Sequence, residues 1–431
     1  GDASTGATDT RGPAAPAGLR ALLFLKLPDA ARLERAGPLD VLGIAGAARA
    51  MSPDEMQAEL RPVAALFRAL KGARVLHYKT CSTFDSAPHI GSIGGAAEVL
   101  RPADDAPWTA IVGGQPNLGR YCLFGHLFAA AGSGGEVFRI VRHPTMRRHP
   151  VTPMDESDLR LHLAKQGLAD VDSLPFTAAA RGAEAIDVAL KQALDAPAAP
   201  AVLFDVADAA QLAAIGQVLW ARARSATLLA VGPSSVVDAL GSAMAPRGAE
   251  TRTASPPAVA PASGPVLVLA GSLSPVTARQ VAAARSFDIV WLDAPAPARR
   301  DAATLARHAD EIAQGLARGR HVLACTRAPA SEAPAAEVDA QALARAGGEL
   351  LARVLARAPL RRVGIAGGDT SSHGVQALDA WGLSYIADLG AGASLCRVHS
   401  DDATLDGMEI MLKGGQMGAP DVFEQLVHGT A

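Results

Sequence analysis

Short, unbroken apolar runs that alternate with longer helix-patterned stretches constrain this chain more than any other feature. Residues 21–25, 41–45, 74–78, 109–112, 201–204 and 227–231 each read as a strand. They lack polar alternation, as strands covered on both faces do. Helical stretches lie between them. One spans about residues 53–69, where Ser52 stands as an N-cap before a proline at the first helical position, and another runs through residues 209–222. Such alternation predicts an α/β fold with mainly parallel sheets, built as two three-layer α/β domains.

Composition closes off other classes. Hydrophobic residues make up 49% of the 431 positions and aromatics only 4%, so the core must be built from Ala, Val and Leu. That excludes intrinsic disorder, which needs low hydrophobicity and high net charge. The net charge of −3 provides no broad basic field, so no nucleic-acid partner is expected. Four cysteines without a C-x-x-C pair predict a reducing, cytoplasmic setting. No apolar run approaches the length of about 18 residues that spans a bilayer, so no membrane partner is expected. No basic segment followed by an apolar one opens the chain, which predicts no signal peptide. Residues 241–264 carry Pro246, Pro256, Pro257 and Pro261 without periodicity and read as a linker between domains at 1–240 and 265–431.

In the second half, three strand-to-helix turns share one design. The strand at 265–270 runs into Gly271-Ser272-Leu273-Ser274, that at 362–366 into Gly367-Gly368-Asp369-Thr370-Ser371, and that at 408–412 into Lys413-Gly414-Gly415. Glycine lets backbone approach an anion closely, and the free N–H groups and dipole of the following helix favour negative charge. In open α/β sheets such turns gather at the carboxyl ends of the strands. Three in one domain point to a nucleotide, although ordinary loop chemistry accounts for any one of them. Neither a Walker-type phosphate loop nor a G-x-G-x-x-G fingerprint occurs, which counts against a nicotinamide-dependent oxidoreductase.

The first half holds three polar segments: Asp2 to Asp9, expected to follow a strand upstream; Lys79 to Gly94; and Gly113 to Arg120. Lys79 and Arg120 are suited to gripping a carboxylate, and Ser82 and Thr83 to bonding hydroxyls. Single Ser or Thr residues also cap helices, so Lys79 and Arg120 together carry the functional reading. Cys396 and His399 have metal-like spacing, but no second pair accompanies them.

As an ordered set these segments resemble the four-carbon acid sugar kinase family, which includes threonate and 3-oxo-tetronate kinases. Gly1-Asp2-Ala3-Ser4-Thr5-Gly6-Ala7-Thr8-Asp9 looks like the family's D-D-x-T-G-A-x-D loop, and Lys79 to Gly94 like its K-x-D-S-T…G-x-x-G segment. Residues 116–125, 149–159 and the three glycine-rich turns complete a match over essentially the whole chain. The resemblance implies an N-terminal domain for the sugar acid and a C-terminal domain for ATP, with phosphoryl transfer to a substrate hydroxyl. It implies that Asp2 is catalytic and that Lys79, Ser82, Thr83 and Arg120 lie around the acid. Ser272, Ser274, Gly367, Gly368, Asp369, Thr370 and Gly415 would contact the nucleotide. A Mg²⁺ requirement and a homodimer are implied as well, with no metal ligand identified. Ala3 and Cys81 depart from the family pattern, where Asp is usual. With Asp85 they would reshape the acid pocket, for a tetronate, a 3-oxo-tetronate or a related acid of the 3-oxo-isoapionate type. The alternative from another class is a binding protein without turnover.

Overall fold

The computed structural model describes residues 19–70, 72–101, 108–132, 134–149, 151–195, 201–244, 258–293, 302–327, 340–390 and 392–430. The first two described strands, β1 (Ala21–Phe24) and β2 (Val41–Ile44), pair with each other in parallel, and β1 pairs antiparallel with a strand from the chain's last quarter. The chain divides into two compact units. Gly46–Thr251 forms the bulk of one, and Arg20–Ala45 joins Arg252–Ala431 in the other. The expected boundary at 1–240 therefore differs from the compact units at residues 20–45. Strand pairing across more than 350 residues has no local signature, so the sequence pattern placed this segment with its neighbours in the chain.

The N-terminal unit holds β3 (Val75–Lys79), β4 (Thr109–Val112), a meander of β5 (Arg120–Leu123), β6 (His126–Ala130) and β7 (Val137–Arg139), then β8 (Val171–Leu174), β9 (Ala201–Phe204) and β10 (Leu228–Gly232). Five of these form a parallel sheet in the order β3-β10-β4-β9-β8. Alternate residues of each strand enter different cores. Ile111, Leu203, Leu229 and Val231 pack with Met56, Leu60, Ile93 and Leu159 of helices on one face. Ala110, Val112, Val202 and Phe204 pack with Ile186, Leu190, Ile215 and Val236 on the other. This double coverage is why the strands read as continuous apolar runs. The helix Pro53–Ala69 begins as expected, with the Glu55 carboxylate accepting the Ser52 N–H at 2.9 Å and its hydroxyl at 2.7 Å.

The C-terminal unit adds β11 (Val266–Ala270), β12 (Phe287–Asp293), β13 (His321–Arg327), β14 (Arg362–Ala366), β15 (Ala380–Asp388), β16 (Ala393–Ser400) and β17 (Glu409–Lys413). Its nine-stranded sheet runs β12-β13-β11-β14-β17-β16-β15-β1-β2. The five strands from β12 to β17 are parallel, and β16 and β15 are antiparallel insertions. Leu267 and Leu269 face one helical layer, and Val266, Val268 and Ala270 the other. Each unit is thus a sheet between two helical layers. Both ends of the segment expected as linker, 241–264, are structured. The helix Ser235–Met244 runs through its start, and Val259 is buried in the C-terminal unit, its N–H donating to Thr430 Oγ1 at 2.9 Å. No described helix is long and apolar enough to cross a membrane.

Candidate functional site

The parallel sheet of the N-terminal unit brings the sequence-expected residues to its carboxyl edge. Lys79 is the last residue of β3, and the Thr80 N–H donates to Gly232 O of β10 at 2.9 Å. On the other side of β10, Gln115 follows β4 and its Nε2 donates to Ser234 Oγ at 2.7 Å, while Ser235 Oγ donates to Gly114 O at 2.6 Å. The β5-β6-β7 meander, which the sequence pattern left as loop, crosses this edge. Gln115 and Arg120 exchange backbone hydrogen bonds, as do Cys122 and Val206. Arg120 is carried to the edge by that meander.

The two cations differ in how they are held. Lys79 is half-buried and forms no ion pair among the described residues. Arg120 Nη1 donates to the carbonyls of Leu118 and Ala130. Its Nε is buried without a hydrogen-bond partner, and no carboxylate pairs with it among the described residues. Burial pushes its pKa down from the ordinary value. A buried donor on a charged group is costly to leave unmade. The Arg120 edge is therefore suited to an external anion.

Thr83 is 5% exposed, and its hydroxyl donates to Asp85 Oδ1 at 2.5 Å and lies 3.1 Å from Cys81 Sγ. Asp85 also accepts from Arg49 Nη2 at 2.5 Å and from Thr152 Oγ1 at 3.4 Å. Burial pushes the Asp85 carboxyl up, but the Arg49 charge and the bonds from Thr83, Arg49 and Cys81 hold it below the usual value. Burial raises the Cys81 thiol, so it is not a ready nucleophile. Thr83 is thus committed to the protein, while the half-buried Ser82 has no hydrogen bond of this kind among the described residues. Sequence reasoning gave no site role to Arg49, Thr152 or Ser234, which come from distant segments. Asp2 lies outside the described residues.

In the C-terminal unit the three glycine-rich turns are adjacent and interlocked, because β11, β14 and β17 are neighbours. The N–H groups of Gly271 and Ser272 donate to Ala366 O at 3.1 and 3.2 Å, and that of Gly367 to Lys413 O at 3.0 Å. Gly367 has φ +128°, which L side chains rarely adopt. A Cβ on Gly271 would overlap the Thr370 hydroxyl. Ser274 caps the helix Pro275–Ala283, accepting from the Thr277 N–H at 3.1 Å, and donates its hydroxyl to Gly415 O. Thr277 Oγ1 donates to the same carbonyl at 2.9 Å. Gly368 and the exposed Asp369 open the helix Gly368–Gln376 beside them.

Lys413 stands under these turns. Its side chain is fully buried, its Nζ donates to Thr277 Oγ1 at 3.3 Å and lies 6.0 Å from the Phe423 ring centroid, and no carboxylate pairs with it among the described residues. Burial pushes its pKa down to about 8. Sequence reading counted Lys413 only as part of a turn. Nothing local signals that its charge is buried.

Two family models match the chain: a sugar-binding N-terminal domain over residues 1–240 and a nucleotide-binding C-terminal domain over residues 267–423. The chain is 39% identical to a 3-oxo-isoapionate kinase of Paraburkholderia graminis, over 100% of this chain and 93% of that one. It is 31% identical to a 3-oxo-tetronate kinase of Cupriavidus necator, over 98% and 94%. The chain belongs to the four-carbon acid sugar kinase family. It is therefore a kinase, a phosphotransferase that uses ATP. In fold, this kinase is similar to a solved Salmonella typhimurium LT2 protein, with a TM-score of 0.81 at 24% identity over 98% of this chain and 97% of that one. It is also similar to Haemophilus influenzae protein HI1011, with a TM-score of 0.73 at 21% identity over 98% and 97%. Cys396 is buried in the core, His399 Nε2 lies 2.8 Å from Ser384 Oγ, and no group of three or more His, Cys, Asp or Glu suited to a metal occurs among the described residues.

Proposed function

We propose that this kinase moves the γ-phosphoryl group of ATP to a hydroxyl of a small sugar acid of the 3-oxo-isoapionate or 3-oxo-tetronate type. The reading rests on the charge pattern of the N-terminal sheet edge. Lys79 and the Arg120 edge are cations without carboxylate partners among the described residues, close in sequence to Ser82 in the case of Lys79, in a chain 39% identical to a 3-oxo-isoapionate kinase. Lys79 and Arg120 hold the acid's carboxylate, Arg120 through its unpaired Nε. Ser82 bonds a substrate hydroxyl, and Thr83 acts by fixing Asp85 and Cys81 as the pocket wall.

Phosphoryl transfer asks the protein mainly for alignment and charge neutralisation. The substrate oxygen bonds to the γ-phosphorus, the bond to the β,γ-bridging oxygen breaks, and ADP leaves. The hydroxyl proton goes to Asp2. The phosphates lie on the backbone of the turns at Ser272, Ser274, Gly367, Gly368, Thr370 and Gly415, with Lys413 as the positive charge beneath. A Mg²⁺ ion would supply further charge neutralisation at the ATP phosphates. Without a carboxylate cluster among the described residues, this chain would meet the ion chiefly through the phosphates, with Asp369 at the helix start. The kinase works in the cytoplasm as a homodimer, which light scattering of the purified chain tests.

The direct test is ADP release from ATP with a panel of four- and five-carbon sugar acids, including 3-oxo-isoapionate and 3-oxo-tetronates. Turnover with a 3-oxo acid is expected. No release above background with any acid would overturn the substrate reading. Asp2→Asn should abolish turnover while ADP still binds, and near-normal activity would remove Asp2 as the proton acceptor.

A further inference from the structure

The turn that carries Ser82 is shaped by one residue in an unusual conformation. The Phe84 N–H donates to Cys81 O at 3.0 Å, which closes a turn with Ser82 and Thr83 at its corner. Phe84 itself has φ +51°, in the left-handed region, and is 0% exposed. A bulky residue rarely adopts that region, and one that does is held there by its surroundings. Strained residues of this kind cluster at active sites and ligand clamps.

Two buried side chains hold Phe84 through its carbonyl. Ser86 Oγ donates to Phe84 O at 2.9 Å, and His162 Nε2 lies 3.1 Å from the same oxygen. His162 is 4% exposed and stands on the short helix Leu159–Ala164, 78 residues along the chain. The neighbours fix the proton positions. Gln166 Oε1 accepts the Ile93 N–H at 2.7 Å, which turns its Nε2 toward Ser86 Oγ at 2.9 Å and His162 O at 3.4 Å. Both hydrogens of that amide then have acceptors, and the Ser86 hydroxyl is left to donate to Phe84. His162 Nε2 also lies 3.0 Å from Gln166 Nε2 and from Ser86 Oγ, whose protons are thus committed elsewhere. Nε2 therefore carries the ring proton and donates it to Phe84 O. Burial pushes the His162 pKa down from its ordinary value, so the neutral ring with this one proton is the form present at pH 7.

We propose that His162 is a positioning residue for the sugar acid: its Nε2–H pins the Phe84 carbonyl and so fixes the turn that presents Ser82 to a substrate hydroxyl. The proposal rests on the reading of Lys79 and Ser82 as contacts of the acid. Being buried, the ring acts through Phe84 and not on the substrate. Thr83 and Asp85 flank Phe84 and meet at 2.5 Å, so the pinned carbonyl also sets the wall that this pair forms. Groups that hold a binding loop in one conformation act by preorganisation, which lowers the cost of binding without adding a contact.

The test compares variants of the full chain in steady-state kinetics. His162→Leu keeps the bulk of the ring without its donor. It should raise the KM for a 3-oxo sugar acid about tenfold with kcat little changed, while the KM for ATP stays within about twofold. His162→Gln, which restores an N–H donor, should recover most of that loss. Ser86→Ala removes the other bond to the carbonyl and should raise the acid KM several-fold. Hydrogen exchange read by mass spectrometry follows the turn without turnover. The amides of residues 81–86 should exchange faster in His162→Leu than in the wild type and return toward wild-type rates in His162→Gln. Equal rises in both KM values, an acid KM unchanged in His162→Leu and Ser86→Ala, or a glutamine variant no better than leucine would overturn the assignment. If His162→Leu does not fold, the acid KM of Ser86→Ala decides. A wild-type chain that turns over no acid refutes the substrate reading, and the exchange rates then decide by themselves whether His162 holds the turn.

Discussion

Replacing Lys413 with methionine separates what the buried cation costs the fold from what it does for the ligand. Burial lowers its pKa from 10.5 to about 8, a difference of roughly 2.5 units. At about 1.36 kcal/mol per unit, keeping this ammonium charged in the folded kinase costs about 3 kcal/mol. The Thr277 hydrogen bond and the Phe423 ring offset about 1 kcal/mol each at most. Lys413→Met has nearly the same volume and no charge, so it should stabilise the ligand-free protein by about 1–2 kcal/mol at pH 7. Urea denaturation followed by circular dichroism reads that gain directly. The pH dependence carries a definite sign. Below about pH 8 the lysine is protonated in both folded and unfolded chains, and the full penalty applies. Between about 8 and 10.5 the folded chain releases its proton first, so wild-type stability rises with pH relative to the variant and the advantage of methionine disappears. ADP affinity should move in the opposite direction. Loss of a charge-assisted bond of about 1.5–3 kcal/mol weakens binding by more than tenfold. A variant less stable than the wild type at pH 7, or one that binds ADP equally well, would refute the account of Lys413 as a charge held for phosphate.

The other predictions concern the remaining charges and turns. Arg49→Ala leaves the Asp85 side chain, 0% exposed, without its counter-charge, and should destabilise the protein by about 3–5 kcal/mol in thermal unfolding; a loss under 1 kcal/mol would mean that solvent reaches Asp85. Arg120→Ala should raise the KM for the sugar acid by a factor equivalent to about 1.5–3 kcal/mol with kcat little changed, and an unaltered KM removes Arg120 from carboxylate binding. Gly271→Ala forces its new methyl onto Thr370, so ADP binding should fall sharply in calorimetry, and the double variant Gly271→Ala with Thr370→Gly should recover part of it.

The positions of the glycine-rich turns were legible because they are local. The three turns follow strands that identify themselves by continuous apolarity, and each glycine stands next to the strand that positions it. Lys79 ends β3 for the same reason. The partnerships were not legible. Asp85 meets Arg49 from 36 residues upstream and Thr152 from 67 residues downstream, and no sequence spacing encodes either contact. Arg120 read as suited to a carboxylate, whereas the meander ties its Nη1 to two carbonyls and leaves its Nε buried and unpaired among the described residues.

The sequence by itself determined the α/β class, the two-part organisation, the positions of the glycine-rich turns and the family. These follow from periodicity, turn chemistry and an ordered set of short motifs, all properties of neighbouring residues. Tertiary structure alone decided where residues 20–45 belong, since β1 completes the C-terminal sheet beside β15 and its Phe24 stacks on Trp381 at 5.9 Å. It alone decided which charges are satisfied. Lysine looks the same in sequence whether it is solvated, as most are, or sealed under glycine-rich turns as Lys413 is. Its burial is set by strands and helices that arrive from elsewhere in the chain, and so is its shifted pKa.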